Sequence, residues 1–145
     1  MCHPHFLRNG LQVLVVDSHF DSCALLVALF SQYGIKTTTA TCISEALEMI
    51  QQTPPDLLIG EIMLPDGDGY SLIRKVKALE ATYGVEIPAI ALTVCARESD
   101  RDRALAAGFC RHFAKPINID ELIATIAYIT EQTQESQQMF VSSKL

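Results

Sequence analysis

The sequence predicts an open α/β fold in which five βα units form one doubly wound parallel sheet. Short apolar runs alternate with amphipathic stretches five times along the chain, and this alternation is typical of strands and helices wound around a parallel sheet. The length of 145 residues is that of one domain. Hydrophobic residues make up 49% of the chain and charged residues 19%, which is ordinary globular usage and argues against a disordered or fibrous class.

Each predicted strand is a short run of apolar or β-branched residues. The five strands cover residues 11–16, 35–39, 56–60, 88–92 and 109–114. A stretch with helical spacing follows each strand. The five helices cover residues 22–33, 45–52, 71–84, 98–107 and 122–132.

Glycine, proline and capping residues mark where the predicted helices begin and end. Gly34 and Gly108 supply stops after the first and fourth helices, and Pro54 follows the second. Residues 118–121 form a capping box that opens the fifth helix. From about Gln132 the sequence is polar, which predicts a frayed helix end or a mobile tail.

The longest irregular stretch, residues 64–70, follows the third strand. Asp66 and Asp68 resemble part of a calcium loop, but the further oxygen ligands and the late glutamate of such a loop are absent. A turn is the better interpretation, because Gly67 and Gly69 permit positive φ and the two aspartates suit turn and helix-capping positions. No glycine-rich phosphate-binding motif follows the first strand, which disfavours a nucleotide-binding fold.

Charge and hydropathy exclude two classes of partner. Seventeen acidic and eleven basic side chains give a net charge of -6, which is the wrong sign for a domain that binds a phosphate backbone. The apolar stretches are too short to span a membrane, and residues 1–10 lack a signal-peptide core. We therefore expect a soluble, cytoplasmic protein that binds neither nucleic acid nor membranes.

The cysteines and histidines predict no catalytic or metal centre. The five cysteines are scattered without a Cys-x-x-Cys pair, so we expect reduced, mostly buried thiols. His3, His5 and His19 have no metal-ligand spacing. His19 and Cys23 fall four apart on one helix face, but nothing in the sequence orients them as a base and a nucleophile.

Polar side chains stand where four of the predicted strands end. They are Asp17 and Ser18 after the first strand, Glu61 after the third, Thr93 after the fourth and Lys115 after the fifth. The functional crevice of a doubly wound sheet lies outside the carboxyl ends of its strands, so we expect these side chains to share one rim. That rim is the candidate functional site.

Five segments resemble the receiver domain of two-component response regulators, the CheY-like family. They are VLVVDS at 13–18, PDLLIGEIMLPDGDGY at 55–70, PAIALT at 88–93, RALAAG at 103–108 and AKP at 114–116. The resemblance implies a flavodoxin-like receiver fold with strand order 2-1-3-4-5. It divides the chain into an N-terminal extension (1–10), a receiver domain (11–130) and a polar C-terminal tail (131–145).

The resemblance also implies a site chemistry. In that family two carboxylates after the first strand hold Mg²⁺, an aspartate after the third strand accepts a phosphoryl group from a histidine kinase, and a threonine or serine and a lysine contact the phosphate. Asp17, Thr93 and Lys115 match these positions, and the backbone carbonyl of Met63 is available to a metal. Such a transfer needs cations because several negative charges meet at the phosphoryl group.

Two positions of this chain depart from the family pattern. Glu61 stands at the phospho-acceptor position, one methylene longer than aspartate, and a displacement of about 1 Å can cost roughly a hundredfold in rate. Ser18 replaces the second acid and offers a cation no charge. Asp17 and Glu61 remain as metal ligands, so we expect Mg²⁺ binding to be weak or absent and no cofactor to be required.

These departures predict a pseudo-receiver that signals without conventional aspartyl phosphorylation, and not an enzyme. In one interpretation Glu61 imitates the activated state by pairing with Lys115 and reaching toward the hydroxyl of Thr93. In the other, Glu61 only satisfies Lys115 in a vestigial site. The alternative function is a response regulator that still accepts a phosphoryl group at a divergent acidic site, and an enzyme or ligand-binding protein that reuses the crevice is a third.

Two further positions follow from the resemblance. His112 stands where the family often has an aromatic residue that swings inward when the threonine moves, although a half-exposed histidine without a switching role is the simpler interpretation. The peptide bond from Lys115 to Pro116 is where a cis bond is expected.

Partners are expected at the surface formed by residues 97–130, because receivers dock there. The partner would be a histidine kinase, a downstream effector or a second copy of the chain. The stretch after Thr130 is too short for an output domain, which predicts a stand-alone interaction module.

Overall fold

A computed structural model describes the backbone of residues 7–143 and the side chains of residues 7–133. The strands are β1 (Gln12–Val16), β2 (Lys36–Ala40), β3 (Leu57–Gly60), β4 (Met63–Leu64), β5 (Gly67–Asp68), β6 (Ala89–Thr93) and β7 (Arg111–Ala114). The helices are α1 (Phe20–Ser31), α2 (Ile43–Gln52), α3 (Gly69–Tyr83), α4 (Glu98–Ala107) and α5 (Ile119–Ser143). The five predicted strands correspond to β1, β2, β3, β6 and β7, with bounds that differ by one or two residues.

The main sheet is parallel and has the order β2-β1-β3-β6-β7. Because β6 and β7 are its fourth and fifth strands, this is the predicted order 2-1-3-4-5. In register, Val16 of β1 lies between Ala40 and Gly60, and Thr93 pairs with Ala114. The strands therefore end nearly level with one another, and the residues that follow them meet at one edge.

Two apolar layers cover the sheet. On β1, Val13 and Val15 face the layer that α1 and α5 complete, whereas Leu14 and Val16 face the layer of α2, α3 and α4. This alternation follows from the period of two along a strand. Both faces of β1 are buried, as expected for a central parallel strand, and its burial fixes the position of Asp17.

The stretch predicted as irregular contains a small antiparallel hairpin, β4–β5, which the sequence prediction missed. Asp68 caps α3, since its carboxylate accepts from the Ser71 amide at 2.8 Å. Asp66 caps a different helix. Its two oxygens accept from the amides of Ile43 (2.8 Å) and Ser44 (3.1 Å) at the start of α2, and these bonds lower the pKa of the Asp66 carboxyl.

Gly69 is required for space and not for positive φ, which corrects the prediction made for it. Positive φ occurs at Gly67 in this turn but not at Gly69. A Cβ on Gly69 would lie 2.7 Å from the carbonyl oxygen of Glu61. The start of α3 therefore packs directly against the backbone of the Glu61 loop, and a side chain at position 69 would displace that loop.

The fifth helix is longer than predicted. Asn118 caps it by accepting from the Glu121 amide at 3.1 Å, and the helix continues through the polar stretch to Ser143. No glycine or proline interrupts these residues, and glutamine and glutamate favour helix, which explains the difference. Most of the predicted N-terminal extension, residues 1–6, and the last two residues of the predicted tail lie outside the described part of the chain.

The structure bears on the predictions about the cysteines and about membrane-spanning segments. The four described cysteines are free, but only Cys23 is buried; Cys42 and Cys95 are half-buried and Cys110 is exposed, so the prediction of mostly buried thiols is wrong. Within residues 7–143, no helix combines the length and apolar character that crossing a membrane requires.

Candidate functional site

The carboxylates of Asp17 and Glu61 meet at the carboxyl edge of the sheet because β1 and β3 are neighbours. The Asp17 amide donates to the Ala40 carbonyl, and the Glu61 amide donates to the Val16 carbonyl, so the sheet ladder continues through both residues. Both residues are almost fully buried, at 4% and 1% exposure. Burial of two negative charges is costly unless a cation lies beside them.

Lys115 supplies that cation from the other side of the site. Its Nζ lies 2.7 Å from Asp17 Oδ2 and 3.1 Å from Glu61 Oε2. Ser22 Oγ on α1 lies 3.4 Å from the same nitrogen. Asp17, Glu61 and Lys115 together form what we call the charge cluster, with two carboxylates against one ammonium.

Glu61 is folded back onto its own loop. Its Oε1 accepts from the amide of Ile62 at 2.6 Å and, more weakly, from that of Met63 at 3.4 Å. Oε2 is within ion-pair distance of Lys115, but the angles of that contact do not make a directed hydrogen bond. Backbone donors and one neighbouring charge therefore hold a carboxylate that has almost no access to solvent.

The charge cluster shifts the ionisation of Lys115 toward the charged form. Partial burial lowers the pKa of Lys115, but the carboxylates of Asp17 and Glu61 outweigh that effect, and the pKa is raised overall. The ammonium therefore persists at neutral pH and keeps the two carboxylates together.

His19 and Cys23 also contact Asp17, and the sequence did not reveal either contact. The amide of His19 donates to Asp17 Oδ1 at 2.9 Å, and its ring nitrogen Nδ1 lies 3.1 Å from the same oxygen. The thiol of Cys23 donates to the Asp17 carbonyl at 3.3 Å. Burial raises the pKa of Cys23, and the negative charge of Asp17 raises it further, so this thiol is not an activated nucleophile.

Thr93 lies at the site edge, but its hydroxyl is engaged elsewhere than predicted. Thr93 Oγ1 accepts from the amide of Cys95 at 2.9 Å. Among the described residues, no hydrogen bond joins Thr93 to Glu61, so the predicted reach of Glu61 toward this hydroxyl is not observed. The physical reason is the folded-back Glu61 carboxylate, whose Oε1 is bound by its own loop.

The other predicted site residues lie around this cluster. Ser18 is exposed and Met63 is 62% exposed, so neither belongs to the buried cluster. His112 is half-buried on β7, where its Nε2 lies 2.9 Å from the Cys95 carbonyl oxygen. The peptide bond from Lys115 to Pro116 is cis, as expected.

The donor set is compatible with Mg²⁺ binding. Mg²⁺ prefers octahedral oxygen ligands that include one or two carboxylates, and Asp17 and Glu61 supply two. Lys115 already offsets one of these two negative charges, and Ser18 contributes none. In the described part of the chain, no three acidic, histidine or cysteine side chains come together as a ligand group.

Comparison with known proteins identifies the family. The family described as "Response regulator receiver domain" matches residues 13–127, which is most of the chain. The chain belongs to the response regulator receiver domain family. It is therefore a receiver domain of the kind used in two-component signalling, a group that consists of signalling modules.

Relatives and solved structures agree with this assignment. The chain is 38% identical, over 80% of its length and 87% of the relative, to the "Uncharacterized 14.6 kDa protein in sodA1 3'region" of Leptolyngbya boryana. It is 30% identical to "Hybrid signal transduction histidine kinase D" of Dictyostelium discoideum, over 87% of this chain but only 8% of that protein. A two-component response regulator from Clostridium difficile superposes with a TM-score of 0.76 at 28% identity, covering 83% of this chain and 95% of that one.

Proposed function

We propose that this receiver domain is a pseudo-receiver, which takes part in two-component signalling through protein–protein contacts and without conventional aspartyl phosphorylation. The observation that carries the proposal is the state of Glu61. Its carboxylate is 1% exposed, accepts from the Ile62 amide at 2.6 Å and faces Lys115. A nucleophile must present an accessible oxygen in line with the phosphoryl group, whereas Oε1 is bound by its own loop and Oε2 is buried against Lys115.

Charge balance supports the same proposal. Phosphoryl transfer brings further negative charge to a site that already holds two carboxylates, so a divalent cation is needed to offset it. Ser18 stands where the family has the second metal-binding acid, and its side chain is exposed and neutral. The site therefore lacks one of the carboxylates that would hold the divalent cation during the transfer.

The test is a pair of amide NMR titrations, with Mg²⁺ alone and then with Mg²⁺ and beryllofluoride, an imitation of a phosphoryl group on a carboxylate. The natural protein is compared with the double variant Glu61→Asp, Ser18→Asp, and with Ser18→Asp alone as the matched control. On addition of beryllofluoride, we expect the double variant to shift at Thr93 and Lys115, and the other two proteins to stay unchanged. A response of the natural protein would favour the alternative, a receiver that is still phosphorylatable at a divergent acidic site.

We further propose that the partner is a histidine kinase or a downstream effector that docks on residues 97–130, and that the protein acts by binding rather than by catalysis in the cytoplasm. This surface displays Tyr128 at 61% exposure and Leu105 at 38%. Arg111, which is exposed, lies over the ring of the buried Phe113 at 5.3 Å from the ring centroid. Partly exposed aromatic and arginine side chains are typical of interface centres.

A second surface competes for the same role. On α1, Phe20 is 82%, Leu25 52% and Val27 39% exposed, and Leu25 lies on a different side of the helix from the other two. Beside it lies a groove of about 480 Å³ that Leu25, Val94 and Lys115 help to line. Chemical-shift mapping with the phosphotransfer domain of a histidine kinase from the same source distinguishes the two surfaces. The remaining candidate partner is a second copy of the chain, and analytical ultracentrifugation tests it.

A further inference from the structure

The first half of α4 carries no apolar side chain. Residues 98–103 read ESDRDR, and the apolar residues of the helix, 104–107, all lie in its second half. Ala104 is buried, and Ala107 packs against the same apolar layer. A methyl group covers little area, so the two alanines alone define the rotation of α4 about its own axis only weakly.

A contact with an aromatic ring reaches this polar half. The guanidinium carbon of Arg103 lies over the ring of Tyr70 on α3, 4.2 Å from the ring centroid. A guanidinium in this place is attracted by the negative face of the ring, and its planar shape allows it to stack. Position 103 lies about 100° around the helix from the buried Ala104. The stack therefore holds a different side of α4 from the alanines.

Arg103 stacks although acidic residues lie close to it in the sequence. Asp102 precedes it, and Asp100 stands three positions earlier on the same helix. In the part of the chain whose side chains are described, the ion pairs do not include Arg103. The Asp100 carboxylate instead accepts from the Arg97 amide at 3.1 Å, at the start of the helix. The guanidinium therefore rests on the aromatic ring and not on a carboxylate.

Tyr70 is a fixed platform for this contact. Its side chain is 3% exposed and belongs to the apolar layer of α2, α3 and α4. It directly follows Gly69, whose amide donates to the Ile62 carbonyl at 2.7 Å. A groove of about 330 Å³, which Leu64 of the hairpin and Asp100 of α4 help to line, lies between the β4–β5 hairpin and α4. The core thus holds the ring, and α4 reaches the ring beside this groove.

We propose that Arg103 is a positioning residue, which stacks on Tyr70 and thereby sets the rotation of α4 about its axis. This rotation decides which charged side chains of residues 98–103 face outward on the surface 97–130. The consequence for partners rests on the docking surface proposed above. The stack itself belongs to the free protein, so its failure can be told apart from a failure of that surface.

The first test observes the Arg103 side chain by NMR in the natural, full-length protein. The ring current of an aromatic residue shifts protons above its face upfield, so we expect the Hδ and Hε resonances of Arg103 to lie upfield of those of Arg101, an exposed residue of the same helix. Tyr70→Phe keeps the ring and should keep the shift, whereas Tyr70→Leu should remove it. Coinciding resonances of Arg103 and Arg101 in the natural protein would overturn the proposal, and this comparison needs no variant to fold.

The second test compares Arg103→Gln with Arg101→Gln, which is the same change on the same helix away from the ring. In Arg103→Gln we expect amide exchange at residues 102–105 to be about two- to fivefold faster. We also expect residual dipolar couplings of α4 that differ from those of the natural protein, with the couplings of α3 unchanged. Arg101→Gln should alter neither quantity. Equal effects of the two substitutions would indicate a general effect of charge and contradict positioning through the ring, and unchanged couplings in Arg103→Gln would show that the alanines alone set the rotation.

Discussion

Helices α1 and α4 flank the same site, yet they are anchored in opposite ways. α1 buries Cys23, Leu26 and Phe30 under the sheet, whereas α4 buries only Ala104. The start of α1 is also tied to the charge cluster, because the Cys23 thiol donates to the Asp17 carbonyl and Ser22 lies beside Lys115. Before the start of α4, the Cys95 amide donates to Thr93 Oγ1, and the Cys95 carbonyl oxygen lies 2.9 Å from His112 Nε2.

Their outward sides differ in the same systematic way. α1 carries one charged residue, Asp21, and exposes apolar side chains, whereas α4 mixes acidic and basic residues from Glu98 to Arg103. The comparison teaches that the helix with more buried side chains also exposes apolar residues, whereas the helix with one buried residue exposes charged ones. α1 is held by three buried side chains, whereas α4 is a polar helix held by Ala104 and by Arg103, whose guanidinium stacks over Tyr70 at 4.2 Å.

The largest effect should come from emptying the core beneath α1. Phe30 has no exposed surface, so Phe30→Ala should lower the free energy of unfolding by about 3 to 5 kcal/mol. Leu105→Ala on α4, where the side chain is 38% exposed, should cost less than about 1 kcal/mol. Urea denaturation of the two variants measures both values, and equal losses would show that α4 is anchored as strongly as α1.

Removing the shared cation should have the next largest effect. Lys115→Met leaves two buried carboxylates side by side, and because the lysine side chain is 17% exposed we expect a loss of about 2 kcal/mol at pH 7. Lys115→Arg, which keeps the charge, is the matched control.

The pH dependence of that loss has a definite sign. The folded-state pKa of Lys115 is raised, so its stabilisation is complete below the unfolded-state value near 10.5 and is lost as the pH rises through the folded-state value. The difference between the natural protein and Lys115→Met should therefore shrink in alkaline solution. Denaturation curves from pH 7 upward give this difference, and a constant gap would contradict the ion-pair explanation.

α2 offers an intermediate case, since another part of the chain supplies its cap. Asp66→Ala should increase amide exchange at Ile43 and Ser44 without affecting the first turns of α1 and α4, because only α2 loses its acceptors. The pKa of Asp66 is lowered, so its stabilisation is present above the ordinary value of 3.8 and is lost as the pH falls through the folded-state value. Hydrogen exchange followed by NMR should show the variant and natural proteins converging in acid.

The smallest effect on stability is expected on the outward surfaces. Leu25→Glu on α1 and Arg101→Glu on α4 are exposed and should each change the free energy of unfolding by less than about 0.5 kcal/mol. Their effects on kinase binding should differ. If residues 97–130 form the docking surface, Arg101→Glu weakens binding and Leu25→Glu does not, and the reverse result would assign the contact to α1. Isothermal titration calorimetry with the kinase phosphotransfer domain separates the two.

The sequence predicted the five βα units and their order because apolar periodicity and helix stops are local signals. It also predicted that Asp17, Glu61 and Lys115 share one edge, since residues at the carboxyl ends of the strands of one parallel sheet lie along that edge. The missed features are contacts between distant parts of the chain. Asp66 caps a helix that begins more than twenty residues earlier, and His112 bonds to a backbone carbonyl on another element. No residue pattern encodes either contact.

The exposed apolar residues of α1 affect the solubility of the protein. Phe20, Leu25 and Val27 are exposed on a helix with one charge, and exposed apolar side chains promote unspecific association when they are left uncovered. The net charge of -6 opposes that association by mutual repulsion, but salt screens it. Solubility of the isolated protein should therefore fall with ionic strength.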